Sequence, residues 1–372
     1  MFPLPKSNDI SIDKLSAVFR DTTNSYKFYW FLSILELLNS PSTKSNIIEF
    51  ESIYIEMLDM VWFPLNSYKL SFGKNDSFKK IEAFILSQNI NIDNSFNSDR
   101  IYKQLQNKLD HQQIKQLDSE IKKLVKYVPY RFIRPFFETE TRNLTDQEVN
   151  KNIIELSALK SATNPNECPY YFEGDKIIIN QCWVQYFRTN YVILKSYISF
   201  YLIKFLEKNN CKVAGLSEKI SRPTARNLSK YISCWKYYLA QSKNWKCIYS
   251  NNIITENFSL DHFIPWSYNT SDVNWNLIPT FKNINSSKSD TLPSLDKYLE
   301  EFTFRQYNFF HKISGIKEYN TIIDDYSQLF KKTNSELLEL DESLFRDRLK
   351  NEIILMSDHA KNMGFKQNWI FV

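Results

Sequence analysis

Residues 260–290 read LDHFIPWSYNTSDVNWNLIPTFKNINSSKSD and interrupt a chain otherwise patterned for helices. Asp261-His262 closes a short apolar run, and Asn276, inside Trp-Asn-Leu, stands fourteen residues beyond His262. Asn285 and Lys288 follow nine and twelve residues beyond Asn276, with Ile264-Pro265 and Leu277-Ile278-Pro279 framing the interval. A neutral histidine with an ordinary pKa of about 6.5 suits a general base at physiological pH. Asp and Asn oxygens are hard donors that suit a divalent ion.

The order and spacing of these five positions resemble the HNH endonuclease signature, and are especially similar to the HNH module of RNA-guided CRISPR nucleases. The resemblance covers only residues 246–292, and the chain is too short for an RNA-guided architecture. It implies a ββα-metal fold, one divalent ion (Mg²⁺ or Mn²⁺) and hydrolysis of DNA. It also implies roles. His262 ends the first strand as general base on water, and Asp261, on the other side of the pleat, is a metal ligand. Asn276 holds the loop that positions the base, and Asn285 gives the second ligand through its amide oxygen. Lys288, one helical turn later, is expected to reach a phosphate oxygen or the transition state.

Two departures from the family pattern stand out. Many HNH proteins carry two CxxC pairs that bind a structural zinc; the equivalent positions here are Cys247, Ser250, Phe281 and Ile284. One thiol and two apolar side chains make no tetrahedral site, so no structural zinc is expected and Phe281 and Ile284 should pack a small core. The usual Gly-Gly of the connecting loop is replaced by Tyr268-Asn269-Thr270-Ser271, where Asn is expected to take the left-handed turn.

Upstream of the motif, Lys219 to Thr255 contains no Asp or Glu but holds Lys219, Arg222, Arg226, Lys230, Lys236, Lys243 and Lys246. Beside such a motif, Lys219, Arg222, Arg226, Lys230, Lys243 and Lys246 are taken as a nucleic-acid-facing surface; a solvated helix face is the plain alternative. The net charge of +5, 43% hydrophobic and 16% aromatic content exclude a disordered chain, and five glycines argue against a many-turned all-β fold. Five cysteines without a CxxC pair read as reduced thiols. MFPLPKSNDI has no signal pattern, and residues 191–206, interrupted by Lys195 and Lys204, are too short to span a bilayer. A cytoplasmic protein without membrane contact is expected.

Apolar spacing predicts two helices in 11–39, split near Asp21–Asn24, further helices over 45–66 and 77–90, and one amphipathic helix over 99–128. Pro129 and Pro135 break the pattern, Lys176–Ile179 reads as a strand, and an aromatic helix follows at 183–207. Pro223 suits the first turn of a helix reaching about 242, and 295–313, 319–330 and 335–356 read as helices before a polar tail. The fold expected is mainly α with a small α+β insert, a ββα-metal nuclease core on a helical scaffold. Its divisions are 1–165 and 166–245 (both helical, the loop 161–174 marking the boundary), 246–292 (nuclease core) and 293–372 (helical).

Asp-His alone carries little weight, since Asp110-His111 and Asp358-His359 repeat it without the follow-up residues. Both read as exposed polar positions, and His311, among aromatics, as a core or boundary histidine. Arg131 and Arg134 read as covering apolar surface in a turn, and Trp183, Trp235 and Trp245 as core. The function expected is a DNA endonuclease of bacterial restriction or anti-phage defence, with DNA as partner and a regulatory protein or a homodimer as further company. A non-catalytic nucleic-acid-binding or partner-sensing protein that retains the fold is the alternative.

Overall fold

The computed structural model describes residues 4–7, 10–20, 22–41, 45–74, 76–94, 98–124, 126–223, 226–242, 244–254 and 257–372. The chain divides into two compact units, Met1–Pro223 and Thr224–Val372. The first is helical: α1 (Ile12–Ala17), α2 (Tyr26–Asn39), α3 (Phe50–Trp62), α4 (Phe78–Ser87), α5 (Ile101–Lys108), α6 (His111–Leu124), α7 (Val128–Ile133), α8 (Asp146–Thr163), α9 (Gln181–Thr189) and α10 (Tyr191–Glu207). Helix α2 is apolar all round, the signature of a central helix, and buries Phe28, Trp30, Phe31 and Leu35. A small antiparallel sheet in the order β1 (Ile47–Glu49), β3 (Lys176–Ile179), β2 (Tyr170–Glu173) packs on this unit's helices.

The second unit holds the motif. Helix α11 (Ser229–Ala240) precedes β4 (Ser259–His262), the short α12 (Trp266–Asn269), β5 (Leu277–Thr280) and α13 (Lys282–Lys288). Then come α14 (Leu295–Ile313), α15 (Asn320–Phe330), α16 (Asn334–Leu338) and α17 (Glu342–Met363). Strands β4 and β5 pair antiparallel with Asp261 opposite Ile278 and His262 opposite Leu277. The hairpin sits on an aromatic core: Phe263 stacks on Phe302 with ring centroids 4.0 Å apart, and Trp235 lies 4.1 Å from Phe309. Gln306 of α14 donates to the Leu277 carbonyl at 2.7 Å, satisfying a backbone acceptor that a two-stranded sheet leaves open.

The mainly α architecture with a small α+β insert agrees with the expectation, and several boundaries move. The expected 99–128 helix is two, because Leu109 is extended and Asp110 and Gln113 cap each other's backbone N–H groups at 2.9 Å, starting α6 afresh. The helix expected from Pro223 begins only at Ser229, whose N–H is taken by the Asn227 side chain at 3.0 Å. The 335–356 segment is likewise two helices, since Asp341 caps the N–H of Leu344 at 2.7 Å. Strand β1 was not foreseen. The expected polar tail packs instead: Phe365 is buried, and Trp369 exchanges backbone hydrogen bonds with the 292–294 stretch. The stretch 161–174, expected as a boundary loop, lies inside the first unit and contains β2.

Trp235 is fully buried and its indole N–H donates to Asn274 Oδ1 at 3.0 Å, so truncation removes both packing and an anchor. In urea unfolding of the full chain, Trp235→Ala should cost about 3–5 kcal/mol. The exposed Lys236→Ala should stay within about 0.5 kcal/mol.

Candidate active site

Asp261 and His262 are neighbours on β4, so their side chains leave opposite faces of the pleat and each needs its own anchors. On one face, Asp261 is 2% exposed; its Oδ2 accepts from the Tyr249 hydroxyl at 2.6 Å and its Oδ1 from Lys288 Nζ at 3.1 Å. Lys288, 1% exposed at the end of α13, also donates to the His262 carbonyl at 2.6 Å. The ammonium thus points inward and ties α13 to both motif residues of β4. Burial, then the charge of Asp261, holds the Tyr249 phenol far above its ordinary pKa, which keeps it a donor.

On the other face, His262 Nε2 lies 2.9 Å from Asp272 Oδ1, a carboxylate in the connecting loop. A carboxylate accepts, so Nε2 carries the proton and Nδ1 is the basic nitrogen. Among the described residues Nδ1 has no partner. Burial pushes the imidazole below its ordinary pKa; the Asp272 hydrogen bond opposes this and the Arg226 guanidinium adds to it. The result at neutral pH is a neutral ring, the form that accepts a proton.

The loop carrying Asp272 is itself pinned. The Tyr231 hydroxyl donates to the Asp272 carbonyl, and Asp325 accepts the Asn274 N–H at 2.8 Å. Arg226 Nη1 lies 3.7 Å from Asp272 Oδ1, and its guanidinium sits 4.6 Å from the Trp266 ring centroid. The left-handed turn falls on Thr270 (φ 54°), not on Asn269, so a β-branched residue bears strain that the family's glycines would avoid.

Asn276 is fully buried, and its amide pairs with one backbone unit twice: Oδ1 accepts from the Ile264 N–H and Nδ2 donates to the Ile264 carbonyl, each at 2.8 Å. It locks the turn directly behind His262. The Asn285 Nδ2 donates to Ser259 Oγ at 2.7 Å and to the Leu260 carbonyl at 3.1 Å, which fixes the flip of the amide. Its Oδ1 is therefore the outward atom and receives no hydrogen bond among the described residues. Asp261 and the Asn285 amide oxygen are hard donors of the kind a divalent ion takes, and each Asp261 oxygen keeps a lone pair beyond the hydrogen bond it accepts from Tyr249 or Lys288. No cluster of three or more His, Cys, Asp or Glu residues is present among the described residues, so the protein forms no full cage.

The motif residues come together around the hairpin; the basic segment is divided between the two units, with Lys219 and Arg222 in the first and Arg226, Lys230 and Lys246 in the second. Lys219 is a correction: it is fully buried in the first unit, capped by the Ala214 carbonyl at 2.7 Å, and burial lowers its pKa to about 8. Arg222, in the same unit, donates to the Ser98 carbonyl and stacks 5.0 Å from the Phe63 ring centroid. Lys230 and Lys246 are exposed in the second unit, and Lys243 lies outside the described residues. Of the other positions, Cys247 Sγ rests 3.2 Å from Thr280 Oγ1, Ile284 is buried and Phe281 packs against the same core. His359 is half-buried rather than the exposed polar position expected, with its Nδ1 2.9 Å from the Tyr268 hydroxyl.

Residues 246–294 match the family model of the HNH endonuclease. No curated protein and no solved structure matches the chain. The HNH segment thus lies within a larger helical chain and gives its domain a nuclease character, with nucleic acid as the implied substrate. Within the HNH segment, sequence reasoning missed Asp272 and Tyr249, and outside it Asp325. Asp272 lies in the loop between Asp261-His262 and Asn276, where an acid ten residues beyond the histidine was the only signal available.

The Asp261–Lys288 pair generates a thermodynamic test. Removing one partner leaves a buried charge unpaired, so Lys288→Met should cost about 3–5 kcal/mol in chemical unfolding. The double variant Asp261→Asn/Lys288→Met should recover most of that loss, giving a large coupling in a double-mutant cycle. Additive single costs would show that the pair does not act as a unit.

Proposed function

We propose that the chain is a metal-dependent DNA endonuclease whose HNH segment hydrolyses phosphodiester bonds. The observation that carries this is the pairing of His262 Nε2 with Asp272, which leaves a neutral imidazole with Nδ1 as its basic atom. His262 Nδ1 takes the proton of the attacking water. Asp272 holds the ring in that tautomer and steadies the imidazolium as it forms. Asp261 and the Asn285 amide oxygen are the residues that would hold a Mg²⁺ (or Mn²⁺) ion, which would supply positive charge to the phosphate and to the leaving oxygen. Asn276 keeps the turn behind the base rigid.

Lys288 enters this reading differently from the sequence expectation. With its ammonium buried against Asp261 and the His262 carbonyl, it serves to position those two residues and not to meet the phosphate. Arg226, close to Asp272 and stacked near Trp266, is the cation of the basic segment best placed beside the base; Lys230 and Lys246 are the exposed candidates for DNA contact. One such site cuts one strand, so duplex cleavage calls for a homodimer or successive nicks. By analogy with free-standing HNH proteins, restriction or anti-phage defence in a cytoplasmic setting is the role we infer, and a regulatory partner is the natural control.

Supercoiled plasmid with Mg²⁺ or Mn²⁺ tests the activity. Wild type should nick, and His262→Ala should lose at least about 100-fold in rate. Protein inert with both metals, or His262→Ala as fast as wild type, overturns the catalytic reading. Asp272→Asn should slow nicking without unfolding the protein, and Asp272→Glu should restore part of the rate.

The pH profile has a definite sign. Because His262 titrates below about 6.5, the neutral base persists to lower pH than for an exposed histidine. The acid limb of the nicking rate should therefore lie below pH 6.5, and an acid limb centred above it would contradict the burial effect. The same group makes folding weaker as pH falls through that region, since the unfolded chain then binds the proton more readily.

A further inference from the structure

In the first unit, far along the sequence from the motif, a cavity of about 980 Å³ opens among residues 17–146. Its wall runs from the end of α1 through the first turn of α2 and the start of α4 to α6, α7 and the first turn of α8. Seven cationic side chains face three carboxylates there. The cations are Arg20, Lys27, Lys80, Lys123, Arg131, Arg134 and Arg142. Two of the carboxylates are already used, Glu120 by Lys123 and Asp146 by Arg131, each at 2.5 Å. Among the described residues no carboxylate pairs with Arg20, Lys80 or Arg142, and the buried Nε of Arg131 has no hydrogen-bond partner.

The N-terminal ends of α2 and α4 also reach the wall, but the buried Asp76 carboxylate already takes the Ser25 and Phe78 N–H groups there, so the case for an anion rests on the side chains. Like charges gathered in a concave wall repel one another, and the arrangement is relieved when an anion fills it. Guanidinium forks match phosphate oxygens geometrically. The volume lies at the upper end of the roughly 300–1,000 Å³ of small-molecule sites, more than a single phosphate needs. Val18 and Tyr26 supply a buried apolar floor suited to an organic portion. A duplex is too broad to enter such a cavity and would engage only its rim.

We propose that this cavity binds a small molecule carrying a chain of phosphate groups, either a nucleoside polyphosphate or inorganic polyphosphate. The proposal is independent of the nuclease reading, because every lining residue lies in the first unit. Isothermal titration of the full chain at physiological salt, with tripolyphosphate, ATP and adenosine as probes, tests it. Saturable binding of tripolyphosphate or ATP, with none of adenosine, is expected. Equal affinities assign the phosphate chain alone, and tighter ATP assigns a nucleoside polyphosphate. Arg131→Ala should weaken binding. Lys80→Glu and Arg142→Glu, at exposed positions where folding is not at stake, should each weaken it at least about tenfold. The proposal falls if neither phosphate probe binds saturably, if both exposed-site variants bind like wild type, or if a short DNA duplex displaces tripolyphosphate at equal phosphate concentration.

Discussion

A lysine ammonium buried against an aspartate is the interaction on which the reactive end of the hairpin rests. Placing two charges out of water costs several kcal/mol per ion, and the attraction repays this only when the remaining hydrogen-bonding capacity is used. Here it is used: Tyr249 takes the second Asp261 oxygen and the His262 carbonyl takes another Lys288 proton. The consequence is geometric. Lys288 cannot satisfy Asp261 and the His262 carbonyl together unless α13 sits at one height along β4, and Asn285, on the same helix, is then held at Ser259 and Leu260. A single buried amine sets the register between the strand bearing Asp261 and His262 and the helix bearing Asn285.

The opposite face of the pleat is organised by a different logic. The His262 ring is oriented by a loop carboxylate, and the loop is oriented by groups on helices. Asp325, whose pKa is raised by burial, receives the Asn274 N–H, while Tyr326 takes the Asn274 Nδ2 proton at 2.9 Å and itself donates to Gln306. This chain of donors and acceptors runs back to the Leu277 carbonyl of β5 through Gln306. The histidine's orientation therefore depends on polar groups buried well behind it, and loss of any member leaves another unsatisfied.

The legible part of the sequence was the part written in fixed spacing. Asp261, His262, Asn276 and Asn285 fall in one hairpin-helix unit, and the geometry of Asn276 and Asn285 needs no information beyond that local chain. Helix positions followed from apolar periodicity, as in Leu295–Ile313, but helix ends did not. Asp110, Asn227 and Asp341 each stop or start a helix by a side-chain hydrogen bond to the backbone, a competition that periodicity does not register. Charge was the least legible. Lys219 and Lys288 look in sequence like solvent-facing amines, yet one is capped by a carbonyl and the other paired with Asp261. Burial of a lysine is decided by what tertiary packing places around it, and no nearby residue announces it.

The HNH segment is accordingly not self-sufficient in its polar anchoring. Residues 246–294 contain the hairpin, its helix and Tyr249, but Tyr231, Trp235, Gln306, Asp325 and Tyr326, which fix the loop and β5, all lie outside the match. The apolar support is external in the same way, since Phe263 stacks on Phe302 of α14. A two-stranded hairpin is marginal alone and needs helices packed against it for independent stability. With Cys247 beside Thr280 and with Phe281 and Ile284 turned to the core, α11, α14 and α15 supply the packing that closes the hairpin. The helices immediately around the motif are thus part of its construction, and a fragment cut to the family boundaries would keep the reactive residues while losing what aims them.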